Sequence, residues 1–184
     1  MEISKLYEVF KSCNNVFTDT RKIIKGGIYF ALKGDNFDGN DFANEAIKNG
    51  AKYAVIDSPN FSDSKNIIKV QNSLSALQKL AKYHRGKLRI PIIGITGSNG
   101  KTTSKELIKS VLKTTYNCFA TKGNLNNHIG VPLSILSITD EHKIAIIEMG
   151  ANHEKEIEFL CNIASPSIGV ITNIGSAHLE GFKN

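Results

Sequence analysis

Ile92-Ile93-Gly94-Ile95-Thr96-Gly97-Ser98-Asn99-Gly100-Lys101-Thr102-Thr103 decides how this chain reads: an apolar run passes straight into a glycine-rich turn and then into a helix start. That order of strand, glycines and helix is the setting of a phosphate-binding loop. Glycines let backbone N–H groups point inward around a phosphate, and the helix after them adds the positive end of its dipole. In this reading Gly97, Ser98, Asn99, Gly100 and Thr103 form the cradle, Lys101 meets the β and γ phosphates of ATP, and the Thr102 hydroxyl holds Mg²⁺. The spacing departs from the strict G-x-x-x-x-G-K-[ST] form. Position 95 is Ile, and the nearest upstream glycine, Gly94, stands one residue too early.

Outward from the loop the pattern alternates. Strands are predicted at 91–96, 117–121, 144–148 and 168–172, and helices at 102–113, from Pro132 onward and at 154–163. Such alternation gives a parallel sheet whose ligands bind beyond the carboxyl ends of the strands. Glu148 ends the apolar run Ile144-Ala145-Ile146-Ile147, where a buried strand delivers a carboxylate to the place a magnesium ligand requires. The alternative is a strand-end glutamate in solvent. His178 comes after the last strand by a short loop and offers an imidazole to the same metal, or is plain polar surface.

Upstream, residues 1–88 read as a small mixed α/β unit. Ile3, Leu6, Val9 and Phe10 share one face of a short helix, and a β-rich run from Ile28 to Leu32 comes after the turn Gly26-Gly27. Asn40 or Asp41 is placed to cap a helix with Phe42, Ala43, Ala46 and Ile47 inside, ended by Gly50. Strands at 53–56 and 67–70 precede a helix capped by Asn72 or Ser73, with Leu74, Leu77, Leu80 and Ala81 on its buried face. Leu88-Arg89-Ile90-Pro91 breaks that helix, since a residue before proline is pushed to an extended conformation. The domains are therefore expected at 1–88 and 89–184.

Composition excludes several classes. With 184 residues, 41% hydrophobic and 22% charged, the chain has the make-up of a globular protein rather than a disordered one. No apolar run approaches a membrane span and Met1-Glu2-Ile3-Ser4-Lys5 is unlike a signal peptide, so a cytoplasmic protein is expected. Cys13, Cys118 and Cys161 stand too far apart in sequence for a C-x-x-C zinc or redox motif. The net charge of +6 comes from dispersed lysines without a basic block, which suits an anionic small molecule and argues against nucleic acid.

With these residues in view the chain resembles the Mur ligase family, whose phosphate loop has the form G-x-T-G-[ST]-N-G-K-T, matched from Gly94 to Thr102. The displaced first glycine is a mark of that family. The resemblance extends through Gly123-Asn124-Leu125-Asn126-Asn127-His128-Ile129-Gly130-Val131-Pro132, Glu148-Met149-Gly150-Ala151-Asn152-His153 and Ala177-His178-Leu179-Glu180-Gly181-Phe182. In the first domain, Thr18-Asp19-Thr20-Arg21, Gly27 to Gly34 and Asp38-Gly39 look like pieces of the family's UDP-sugar-binding domain, with Asn40 where histidine is usual. Lys155 stands where many relatives have glycine.

The resemblance implies a fold: a small mixed α/β UDP-sugar-binding domain, then the first part of a P-loop-type parallel-sheet ATPase domain. It implies ATP and Mg²⁺ as cofactors, with UDP-N-acetylmuramoyl-tripeptide and D-alanyl-D-alanine as the substrates joined through an acyl phosphate in peptidoglycan synthesis. By position it puts Lys101 on the ATP phosphates and Thr102, Glu148 and His178 on magnesium. It sets Asn124, Asn126 and Asn127 in a loop facing nucleotide and substrate, and Thr20 and Arg21 on the UDP end. Taken without the family, Arg21 reads as a surface arginine beside turn glycines, and the asparagines as ordinary loop residues. On the same resemblance the chain ends at Asn184 before a carbamylated lysine and a third domain, and is expected to bind nucleotide without ligating. Another Mur-type amide ligase, a folylpolyglutamate synthetase or a non-catalytic nucleotide-binding module remain alternatives. A generic P-loop kinase or GTPase is a further alternative; a GTPase would need an N-K-x-D guanine motif, and none appears.

Overall fold

The computed structural model describes residues 1–59, 61 and 64–175. They form two compact units, Met1–Tyr83 and His84–Asn184. In the first unit α1 (Ile3–Lys11) and β1 (Val16–Phe17) lead into β2 (Ile28–Phe30), the short pair β3 (Lys33–Gly34) and β4 (Phe37–Asp38), and α2 (Ala43–Lys48). Then come β5 (Tyr53–Ile56), β6 (Ile67–Lys69) and α3 (Ser73–Lys87), within which the division falls. The sheet order is β1-β2-β5-β6, with every pairing parallel. Its core packs Phe17, Tyr29 and Ile56 with Ala43, Ala46 and Ala54, the alanines letting α2 lie close to the strands.

Two local expectations fail here for one reason. A 3₁₀ turn, Gly39–Phe42, precedes α2, and its cap is Asp38, whose carboxylate accepts the Asn40 amide, rather than Asn40 or Asp41. The turn rotates the phase of the helix it leads into, so Ala43 and Ala46 face inward while Phe42 is 40% exposed. Asn40 is instead a buried tie: its Nδ2 donates to Asp38 Oδ1 (2.6 Å) and Asp57 Oδ1 (2.9 Å), and its Oδ1 accepts the Asp57 amide at 3.0 Å. At α3 Asn72 acts as the cap, its Oδ1 accepting the Ser75 amide at 2.7 Å.

The second unit holds β7 (Ile92–Thr96), α4 (Lys101–Leu112), β8 (Cys118–Ala120), α5 (Gly130–Leu136), β9 (Ile144–Glu148), α6 (Glu156–Ala164) and β10 (Ile168–Ile171). Its sheet is parallel throughout in the order β10-β7-β9-β8. Strand alternation sends Ile93, Ile95 and Ile146 against Ile108 and Leu112 of α4. On the other face Gly94 leaves room for Pro166 and Met149, and the Cys161 thiol of α6 meets the Met149 sulfur at 3.7 Å. Helix α5 opens two residues before Pro132, because Asn127 Oδ1 accepts the Ile129 and Gly130 amides at 3.1 and 2.9 Å. Helix α6 starts at Glu156, since Lys155 before it is left-handed (φ 65°). From β7 the chain runs out to β8 and returns to β9, and from β9 it crosses to β10. The connections of β7 and β9 thus leave in opposite directions, which opens a crevice at their carboxyl ends. No helix among the described residues is long and apolar enough to cross a membrane.

Tyr29 tests the first core. Its buried hydroxyl donates to the Gly39 carbonyl at 3.0 Å, and burial pushes the phenol up to about 12 from 10.0. A raised folded-state value means the contribution to stability is whole below pH 10 and lost as the pH rises through about 12. Alkaline absorbance titration is expected to show a phenol ionising near 12 that disappears in Tyr29→Phe. Urea denaturation of that variant should show a loss of about 1 kcal/mol.

Candidate functional site

The crevice carries the loop 97–100. Gly97 (φ 136°) is required twice over: its backbone lies in the left-handed half of conformational space, and a Cβ there would collide with the Thr172 hydroxyl and Asn173 backbone. Those residues buttress the loop from the end of β10. The Ser98 amide donates to the Asn173 carbonyl (3.2 Å) and the Asn99 amide to Asn173 Oδ1 (2.9 Å), while Ser98 Oγ exchanges hydrogen bonds with Gly175. Two amides expected to point into a phosphate cradle are thus turned toward Asn173. The first-turn amides of α4 differ. Gly100 (φ 78°) occupies the N-cap and brings them no side-chain acceptor, so they and the helix dipole face whatever enters the crevice. Lys101 folds back so that its ammonium donates to the Gly97 and Ser98 carbonyls.

Glu148, at the tip of β9, is 2% exposed and not a solvent glutamate. Its Oε2 accepts from Thr102 Oγ1 at 3.0 Å and lies 3.3 Å from the Lys105 ammonium, while its Oε1 accepts from Asn126 Nδ2 at 2.9 Å. Its amide donates to Thr121 Oγ1 at 3.0 Å, which ties the end of β9 to the end of β8. Glu148 therefore gathers α4 and the asparagine loop through its carboxylate, and the end of β8 through its backbone amide.

A cavity of about 620 Å³ is lined by Asn126, the amide partner of Glu148, and by Lys101, Asn127, His128, His153 and Lys155 among others. Of the asparagines, Asn126 has its side chain on Glu148 and its carbonyl on the Gly150 amide (2.8 Å), and Asn127 caps α5 while lining the cavity. Asn124 is exposed and contributes its carbonyl to the Asn126 amide at 2.8 Å. On the far wall Glu156 accepts the Asn152 amide at 2.6 Å and the His153 amide at 3.1 Å, and these bonds hold its carboxyl below the usual range.

The structure brings Gly97 through Thr103, Glu148 and Asn126 together. His178 lies outside the described residues. Thr20 and Arg21 belong to the first unit, in a 3₁₀ turn (Thr20–Lys22) after β1. There Asp19 occupies one side of the exposed guanidinium, with Arg21 Nε and Nη2 each 2.9 Å from a carboxylate oxygen. The arginine hydrogen bonds hold the Asp19 carboxyl down at about 2. Lys105, Thr121, Thr172 and Asn173 belong to the site although sequence reasoning does not single them out. Thr172 and Asn173 carry a signal, since they come after a parallel strand at the ligand-bearing edge. Lys105 carries little, because only its place three residues after Thr102 on one helix face separates it from Lys109.

A parallel sheet with a glycine loop entering a helix and a carboxylate at the next strand tip defines a phosphate-loop α/β domain. The chain belongs to the Mur ligase family: the Mur ligase middle domain matches residues 95–184, and the Mur ligase family, catalytic domain, matches residues 12–85. It is 44% identical to the UDP-N-acetylmuramoyl-tripeptide--D-alanyl-D-alanine ligase of Buchnera aphidicola subsp. Baizongia pistaciae, over 94% of this chain and 38% of that protein. Among solved structures it is similar to MurF from Acinetobacter baumannii (TM-score 0.87, 33% identity, 99% of this chain and 43% of that one). It is similar also to MurF ligase from Thermotoga maritima in complex with ADP (TM-score 0.80, 38% identity, 90% of this chain and 38% of that one). The chain thus spans about two fifths of the length of these relatives.

Because Glu148 and Lys105 are both buried, removing one partner strands the other. Glu148→Ala is expected to cost about 3 kcal/mol in urea denaturation, and Glu148→Ala with Lys105→Met to recover most of that loss. A double variant as unstable as the single one would refute the pairing.

Proposed function

We propose that this chain serves an ATP-dependent ligase that joins D-alanyl-D-alanine to UDP-N-acetylmuramoyl-tripeptide, with the second unit as its nucleotide-binding part. The observation that carries the reading is the hydrogen bond between Thr102 and Glu148, beside the glycine loop and where β7 and β9 open their crevice. A carboxylate is a poor acceptor for an amine because oxide does not leave. Transfer of the γ-phosphoryl group of ATP to the tripeptide carboxylate gives an acyl phosphate. The amine of the dipeptide displaces phosphate from it, forming the amide and releasing a proton and inorganic phosphate.

Lys101 swings from the loop carbonyls to the β and γ phosphates, and the α4 amides hold the phosphate oxygens. Thr102 and Glu148 present hard oxygen donors 3.0 Å apart, a pair that fits Mg²⁺, which keeps further positions for phosphate and water. Bound there, magnesium supplies positive charge against the phosphoryl group in transfer. Among the described residues no group of three His, Cys, Asp or Glu side chains offers an all-protein metal cage, in keeping with a metal shared with the nucleotide. His178 is proposed for a magnesium site, Asn124, Asn126 and Asn127 for the loop that faces nucleotide and substrate, and Thr20 and Arg21 for the UDP end.

Calorimetric titration of the 184-residue chain tests this reading. ATP with Mg²⁺ is expected to bind, Lys101→Ala to weaken it by about tenfold or more, UDP-N-acetylmuramoyl-tripeptide to bind, and duplex DNA to give no saturable heat at the same salt. Binding of DNA without binding of ATP would contradict it.

A further inference from the structure

Lys105 has no part in the proposed phosphate contacts, yet it is 1% exposed and its ammonium sits 3.3 Å from Glu148 Oε2, the oxygen that also accepts from Thr102. A buried ammonium is costly unless paired, and its partners are the buried Glu148 and, at 3.5 Å, the half-exposed Glu106. Helix α4 sets this geometry: Thr102 and Lys105, three residues apart, share one face and reach the same carboxylate oxygen. Lys101, the other cation of this helix start, is turned to the loop carbonyls. Glu148 thus already has a cation at the edge where a metal would bind.

We propose that Lys105 is the resident counter-ion of Glu148 and keeps the nucleotide-free site from taking a free divalent cation, so that metal enters only with the nucleotide's phosphates. The inference rests on the reading of Thr102 and Glu148 as metal ligands. A dication at those two oxygens meets the ammonium within a few ångströms, in surroundings that screen poorly. Alone, the metal faces this repulsion with one carboxylate to offset it. Accompanied by the di- and triphosphate charge, it does not. Lys105 is therefore a positioning and gating residue, acting on the metal through Glu148.

The test measures Mn²⁺ binding to the intact chain by electron paramagnetic resonance of free Mn²⁺, with and without ADP. Wild type is expected to bind Mn²⁺ with ADP and negligibly without it. Lys105→Met and Lys105→Gln, which remove the charge, should bind Mn²⁺ alone about tenfold or more tightly than wild type. Lys105→Arg, which keeps the charge, should behave as wild type, and Glu148→Gln added to Lys105→Met should abolish the gain. A purely structural lysine would lower stability and leave the unaccompanied metal affinity unmoved or weaker. If both neutral variants bind Mn²⁺ with ADP as wild type does but gain nothing without ADP, gating by Lys105 is overturned. If wild type binds ADP without Mn²⁺ dependence and Glu148→Gln changes nothing, the metal-ligand reading falls and the gate with it.

Discussion

A carboxylate buried at the end of a strand has to be neutralised and hydrogen-bonded on every side, and meeting that demand for Glu148 organises the second unit. One oxygen takes the Thr102 hydroxyl and the Lys105 ammonium, the other the Asn126 amide, and its own N–H donates to Thr121. The carboxylate's partners come from α4 and the loop before α5, and the backbone N–H of the same residue reaches the end of β8, so one residue fixes where the phosphate loop, the asparagine loop and two strand ends stand. Without the carboxylate, the helix after the loop has no polar reason to keep Thr102 over the crevice.

The loop itself is held from the opposite side. Asn173 takes the Ser98 and Asn99 amides, and Thr172 packs so closely on position 97 that only glycine fits. The α4 amides, in contrast, are left without a side-chain cap. The site is therefore rigid where it meets its own chain and open where it meets the crevice, the division of labour that preorganised anion binding requires.

Much of this was legible in the sequence. Apolar runs at 92–96 and 144–148 suit buried strands, and the glycine-rich handover to Lys101 fixes loop and helix, so the parallel sheet and the meeting of Thr102 with Glu148 come from pattern alone. The illegible part depends on tertiary neighbours. Asn40 and Asp41 both suit a cap, and it takes Asp57, at the end of β5, to draw Asn40 inward and give the cap to Asp38. The two-residue strand β1 is too short to carry a period and exists because β2 pairs with it. Lys105 resembles any helical lysine until Glu148 is placed beside it. In the same way, the left-handed Lys155 delays α6 by a geometry that a residue name does not announce.

In the proposed site Glu148 and Thr102 form a shared metal seat next to a phosphate loop. A crystal structure of the chain with ADP and Mn²⁺, phased to show anomalous scattering from manganese, tests that most directly. A manganese peak is expected at direct bonding distance, about 2 Å, from the Thr102 hydroxyl and a Glu148 oxygen, with nucleotide phosphate next to it. Nucleotide seated on the loop with no manganese at those two side chains would contradict it.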